Sequence, residues 1–304
     1  MNKALVIGSE GNIGTVLVKH LREKGYEVLE VDIKSGYRDN YMVADINHPI
    51  DLLPAFDWQP DVVFLLSAMV SRVTCEQSGC LSIMTNLGGI NNILQLSKRV
   101  NAKTVFFSTS EVYGPECDPM DETMPNPSPN NRYGLSKLLG EKLVEYEVKN
   151  YGLRAVTIRP FMMYDEEESF GDHRSAMIRF AGNLALGKSI EVHIGSARSW
   201  FHASDAVRSI EAAVHTKEYA IINIGHPHVI TMDDLAEMVR QELKAPKELI
   251  KYVDIPSRMT LVKRPTLDRQ RILLGVEPKV SLEEGVKRVC RRVPERIAFG
   301  EKWR

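Results

Sequence analysis

Cysteine is scarce in this chain: Cys75, Cys80, Cys117 and Cys290 among 304 residues are too few for a disulfide framework, and no two have CxxC spacing. They read as reduced thiols. The opening apolar run, Ala4–Ile7, stops at a glycine and is too short for a secretory core, so an unexported, cytoplasmic protein is expected. No stretch approaches the roughly 20 apolar residues of a membrane span. Excess charge is missing too: 39 Lys+Arg stand against 40 Asp+Glu, a net charge of −1. That balance gives no overall pull toward nucleic acid or membrane, and neither is expected as a partner. His226 and His228 are only two apart and no HExxH helix occurs, so no metal is expected. Repeats and low-complexity tracts are absent. With 43% hydrophobic and 26% charged residues, what is there is an ordinary globular composition, which excludes disorder, collagen and coiled-coil rods.

Short apolar runs alternate with amphipathic stretches through the first half, the pattern of βαβ units around a parallel sheet. Strands are expected at Ala4–Ile7, Glu27–Asp32, Val62–Leu66, Thr104–Ser108 and Arg154–Ile158, with a further one before Asp45. Helices are expected at Asn12–Lys24, about Leu81–Arg99 and Tyr133–Asn150. Five prolines between Gly114 and Asn130 mark an irregular loop after a strand end, where open α/β sheets place their ligands. Beyond Pro160 the alternation loosens into an acidic loop, Asp165–Glu168, and helices near Ser175–Leu186, Ser204–His215 and Thr231–Leu243. A last helix opens at Ser281; Thr231-x-x-Asp234 and Ser281-x-x-Glu284 resemble capping boxes.

Gly8, Gly11 and Gly14 sit where the first strand gives way to the first helix, and Asp32 closes the second strand. Glycines let the backbone approach a pyrophosphate, the helix N-terminus supplies N–H donors, and the acid accepts from a ribose hydroxyl. Turn, strand, helix and acid coincide, which points to a bound dinucleotide. A carboxylate beside the ribose 2′-position repels the extra phosphate of NADP, so NAD is the expected cofactor. Lys34 and Arg38 lie just beyond and read as a solvated turn, with phosphate binding as the other reading.

Tyr133 and Lys137 are four apart at a helix start, on one face. A nearby ammonium favours phenolate, which makes a tyrosine usable as a base at neutral pH. The strand ending at Ser108 runs into Thr109-Ser110-Glu111-Val112-Tyr113-Gly114, whose first hydroxyl can share a proton with Tyr133.

These motifs, in this order, resemble the extended short-chain dehydrogenase/reductase family, in particular its nucleotide-sugar epimerases and dehydratases. The resemblance rests on Gly8-x-x-Gly11-x-x-Gly14, Asp32, Asp45-Ile46, Asn86, Thr109–Gly114, Tyr133-x-x-x-Lys137, Arg159-Pro160, Arg198 and Asp205. It implies a Rossmann-type doubly wound parallel sheet with a smaller C-terminal α/β substrate lobe. Residues 1–160, rejoined by 200–224, would hold NAD, and 161–199 with 225–304 a nucleoside diphosphate sugar. NAD contacts would fall at Gly8, Gly11, Asn12, Ile13, Gly14, Asp32, Asp45, Ile46, Leu66, Ser67, Ala68, Asn86, Tyr133 and Lys137. Thr109 would bind the reacting sugar oxygen, Tyr133 act as base, and Lys137 tune it. Arg198 and Arg264 would grip the diphosphate, for which guanidinium forks are suited. A homodimer would form through a four-helix bundle of the helices at Leu81–Arg99 and Tyr133–Asn150.

The resemblance departs at Met162, where such proteins usually carry an asparagine for the substrate phosphate. It implies transient oxidation at the sugar's C4 as a first step. Epimerisation is the leading expectation for the fate of the resulting ketone. The alternatives are 4,6-dehydration or decarboxylation with Glu111 as a base at C5, since Thr109-Ser110-Glu111 resembles the Thr-Ser-Glu of decarboxylases and makes Ser110 a catalytic candidate too, simple C4 dehydrogenation, or a dinucleotide-binding sensor or scaffold without turnover.

Overall fold

The structure, a computed structural model, describes residues 2–171, 174–256 and 259–302. Strand β1 (Lys3–Ile7) leads through the glycine turn into helix α1 (Asn12–Glu23), which buries Leu17, Val18 and Leu21. Gly25, at φ +84°, takes the left-handed conformation that ends this segment before β2 (Glu27–Asp32). Next come β3 (Tyr41–Val43), α2 (Pro49–Asp57), β4 (Val62–Leu65), α3 (Arg72–Gln77), α4 (Gly79–Ile83), a π-helical stretch Met84–Gly89 and α5 (Ile90–Arg99). The first lobe continues with β5 (Lys103–Phe107), α6 (Arg132–Tyr151) and β6 (Ala155–Pro160).

From there the chain makes β7 (Met162–Tyr164), α7 (Ala176–Ala185), β8 (Ile190–His193), β9 (Ala197–His202), α8 (Ala203–Ala212) and β10 (Ile221–Ile224). It closes with β11 (Val229–Thr231), α9 (Met232–Leu243), β12 (Ile250–Val253), β13 (Val262–Lys263) and α10 (Leu282–Ala298). The expected caps are present: Thr231 accepts from Asp234 N at 3.0 Å and Ser281 from Glu284 N at 3.2 Å.

Seven parallel strands form the central sheet, in the order β10-β6-β5-β4-β1-β2-β3. The order reverses between β1 and β4, the switch point above which such sheets bind ligands. Alternate strand residues feed opposite faces. Val6, Phe64, Val105 and Ile158 pack with α1 and α8, while Ile7, Val63, Leu65 and Phe106 pack with α2 and α5. A separate core gathers Ile178, Phe180 and Leu184 of α7, Leu235 and Val239 of α9, and Val286, Val289 and Val293 of α10. In the smaller lobe β9 pairs with β7, β11 and β13, and β8 with β12.

The helix expected over Leu81–Arg99 is present and runs without a gap from Gly79 to Arg99, with a π-helical stretch between α4 and α5. At the end of that stretch a Cβ at Gly89 would meet Ile46 Cγ1 at 2.6 Å, so the helix sits tightly against the loop after β3. Helix α2, which contains Pro54, was not foreseen.

Candidate active site

Two clefts adjoin at the carboxyl end of the central sheet. The first, about 610 Å³, is lined by Gly8, Gly11, Asn12, Ile13, Gly14, Asp32, Asp45, Ile46, Leu66, Ser67, Ala68, Tyr133 and Lys137. The glycines are required by contact. Gly8 lies at φ +93°, where a Cβ would stand 2.7 Å from Ser67 N, and a Cβ on Gly14 would stand 2.2 Å from Gly8 O. The turn is therefore backbone-lined at the N-terminus of α1, the environment a pyrophosphate needs. Ser67 Oγ is buried and has no partner among the described residues. Asp32, at the end of β2, accepts from Glu10 N at 2.9 Å and from Lys34 N at 3.1 Å. These residues fit a dinucleotide.

Asn86 does not line either cleft. It is fully buried, its Oδ1 accepts from Met69 N at 2.8 Å and its Nδ2 donates to Met69 O and Ser136 Oγ, each at 3.0 Å. Its amide thus fixes the loop that carries Leu66–Ala68 into the first cleft.

The second cleft, about 570 Å³, is walled by both lobes and includes Thr109, Ser110, Glu111, Tyr133, Met162, Arg198 and Lys263. Ser108 and Tyr133 face both clefts. Thr109 caps a 3₁₀ turn, Ser110–Tyr113, its hydroxyl accepting from Glu111 N at 3.2 Å. Asn131 caps α6 by accepting from Gly134 N at 2.9 Å, and so sets Tyr133 and Lys137 on the helix's first turns.

Lys137 is buried, donates to Phe107 O at 2.7 Å and stands 5.0 Å from the Phe106 ring centre. Burial lowers its pKa to about 7, with Glu141 opposing. Tyr133 is pushed above the ordinary phenol range, first by burial and then by Glu111, while its hydrogen bond with Thr109 acts the other way. The expected lowering of Tyr133 by Lys137 is not among these influences.

Glu141 holds the group behind this pair together. It accepts from Arg159 at 2.9 and 2.6 Å and from the hydroxyl of Ser108.

Lys263 is the residue that sequence reasoning missed. It is 3% exposed and donates to Glu111 Oε1, while Asn131 Nδ2 donates to Glu111 Oε2 at 3.0 Å. Burial alone would raise the Glu111 pKa, but the Lys263 charge and hydrogen bond, Arg72 and Asn131 hold it at about 2. Glu111 is therefore a carboxylate held in an ion pair with Lys263. Arg198 donates to Ala197 O at 2.8 Å and to Leu261 O and Thr260 O, each at 2.7 Å, and burial lowers its pKa to about 10.

Arg264, expected beside Arg198, is outside both clefts, exposed, with its Nε 3.7 Å from Asp118 Oδ1. The register explains the exchange. Lys263 is the partner of Arg198 across β13 and β9, so those two side chains share a face and Arg264 takes the other. The signal in the sequence was the neighbouring lysine, readable only once the strand pairing is known.

Asp165, Glu166 and His202 approach one another within 4.8 Å. Both ring nitrogens of His202 are engaged, Nδ1 accepting from Ser204 N at 3.2 Å and Nε2 lying 2.9 Å from Glu166 Oε2.

Residues 4–225 match the sequence model described as the NAD dependent epimerase/dehydratase family. The chain belongs to that family. Its members are NAD-dependent and its site is built on a Rossmann-like fold. Among relatives of this family member, UDP-glucuronic acid decarboxylase 5 of Arabidopsis thaliana is 30% identical over 302 residues, covering 93% of this chain and 87% of that protein. The solved UDP-glucose 4-epimerase of Thermotoga maritima superposes with a TM-score of 0.88 at 25% identity, over 97% of this chain and 99% of the other. A dTDP-glucose 4,6-dehydratase of Streptomyces venezuelae, solved with NAD, shares the fold at a TM-score of 0.86 and 22% identity, over 99% of this chain and 98% of the other. Among the described residues no helix is long and apolar enough to cross a membrane.

Proposed function

We propose that this enzyme oxidises C4 of a nucleoside diphosphate sugar and then decarboxylates it at C5, the sugar being a uronate. The observation that carries the reading is the Glu111–Lys263 ion pair in the wall of the second cleft, beside Thr109 and Tyr133. NAD, when bound, accepts hydride from the sugar carbon and returns it. Tyr133, whose phenolate the positive charge of bound oxidised nicotinamide would favour against burial, takes the C4 hydroxyl proton while Thr109 hydrogen-bonds the same oxygen. In a 4-keto uronate the C5–C6 electron pair moves toward the C4 oxygen as carbon dioxide leaves. The Lys263 ammonium supplies positive charge to that oxygen and a proton to C5, and Glu111 opposes the lowering of the Lys263 pKa by burial. Loss of carbon dioxide needs no base at C5, which agrees with a Glu111 held at about 2. The relatedness to a UDP-glucuronic acid decarboxylase supports the same choice.

Arg198, with Arg72 and Arg179 in the same cleft, suits the diphosphate. We assign sugar binding to residues 161–199 and 225–304 and cofactor binding to 1–160 with 200–224. A homodimer would pair the exposed apolar stripe Leu135, Leu139 and Tyr146 of α6 with Leu81 and Met84. Epimerisation at C4 is the second reading, favoured by the apolar walls Phe161, Met162, Trp200 and Met232, which leave a keto sugar free to turn over.

The test is incubation of the purified protein and NAD with UDP-, GDP-, dTDP- and CDP-linked sugars and uronates in heavy water, read by mass and proton NMR. A product lighter by carbon dioxide with deuterium at C5 is expected. Inverted C4 geometry at unchanged mass would replace this reading with epimerisation.

A further inference from the structure

Arg38 is the arginine that the sequence places nearest to a second phosphate on the adenosine ribose, and the structure holds it elsewhere. Its Nε donates to Glu30 Oε1 at 3.1 Å, and its Nη2 donates to Glu30 Oε2 and to Glu10 Oε1, the latter at 2.5 Å. The guanidinium also lies over the Tyr41 ring, 4.2 Å from its centre. Glu30 is 2% exposed on β2, two residues before Asp32, and takes a further bond from Arg22 at 2.8 Å. Glu10 belongs to the glycine turn: its N–H donates to Asp32, and its carbonyl accepts from Lys34 Nζ at 2.8 Å. Of the two cations that come after Asp32, Lys34 lines the cleft with its ammonium on the glycine turn, and Arg38 is turned back onto Glu10 and Glu30. Arg38 is not part of the cleft wall.

A buried carboxylate needs a cation, and Arg22 already supplies one to Glu30. Binding Arg38 as well occupies a group whose planar fork matches a phosphate. We propose that Glu10 and Glu30 form a clamp that withholds Arg38 from the ribose 2′-position. The preference for NAD over NADP then has two layers: repulsion by Asp32 and sequestration of Arg38. This holds whichever reaction the sugar undergoes.

The experiment is calorimetric titration of the purified protein with NAD and with NADP. Asp32→Ser is expected to weaken NAD about tenfold or more while NADP stays weak, the scale of one charge-assisted contact. Adding Glu10→Gln and Glu30→Gln tightens NADP about tenfold over Asp32→Ser alone, and Arg38→Ala abolishes that gain. A gain that survives Arg38→Ala, or no gain in a folded triple variant, overturns the clamp. Should loss of Glu30 unfold the protein, Asp32→Ser is compared with Asp32→Ser/Arg38→Ala. Equal NADP affinity is expected, because Arg38 is withheld; weaker binding in the double variant means that Arg38 already reaches the phosphate and ends the proposal.

Discussion

Glu111 and Lys263, 152 residues apart in the chain, meet as an ion pair between the two lobes. Removing one partner strands the other charge in a largely buried site. Glu111→Gln is expected to destabilise the protein by about 3 kcal/mol, the low end for a broken buried pair because Glu111 keeps some water contact. Glu111→Gln/Lys263→Met should recover most of that loss. The folded pKa of about 2 lies below the unfolded one, so the stabilisation from this carboxylate is present above the unfolded value, near 4.3, and is lost as pH falls toward 2. Urea unfolding from pH 7 to pH 2 checks this: the gap between wild type and Glu111→Gln must shrink below about pH 4.3.

Tyr133→Phe removes the proposed base without removing a residue that shapes the glycine turn. Turnover should fall by about 10²–10⁴-fold, the usual contribution of a positioned acid–base group, with NAD affinity nearly unchanged. Calorimetry beside a product assay separates the two effects. Activity near wild type in this variant would remove Tyr133 from the reaction.

Most of the first lobe was readable because its strands are short, apolar and bounded by turn residues, and helices α1 and α5 carry a 3.6-residue apolar stripe. The glycine turn and Tyr133 with Lys137 could be read for the same reason: their chemistry depends on local spacing. What escaped depends on distant packing. The π-helical stretch Met84–Gly89 within a continuous helix has no signal in local spacing, and α2 forms despite Pro54. Lys263 faces the cleft only because a two-residue strand pairs it with Arg198, and nothing within Lys263-Arg264-Pro265 distinguishes the two cations. The charge states of Lys137 and Glu111 likewise come from burial and from partners remote in sequence.

Gly14→Ala tests the glycine turn. The added methyl would stand 2.2 Å from Gly8 O and 2.8 Å from Ser9 O, both backbone atoms that cannot yield without opening the turn. NAD affinity should drop at least about tenfold. Gly25→Ala is the control: it meets nothing within 4 Å and bears only the cost of a left-handed backbone, roughly 1–2 kcal/mol, so NAD binding should survive. Equal losses in both variants would detach the turn from cofactor binding.

Leu135, Leu139 and Tyr146 line one face of α6, each at least 40% exposed, and Leu81 and Met84 are 51% and 58% exposed. Such a stripe on a helix whose other side is packed in the core is the kind of surface that a second copy covers. In the proposed homodimer the α6 helices meet across a two-fold axis, so one substitution is presented twice. Leu139→Arg places like charges within the same interface and should convert dimer to monomer by sedimentation velocity. Leu186→Arg, an equally exposed leucine after α7 in the other lobe, should leave the dimer intact. If Leu139→Arg sediments as wild type does, this face of α6 is not the interface.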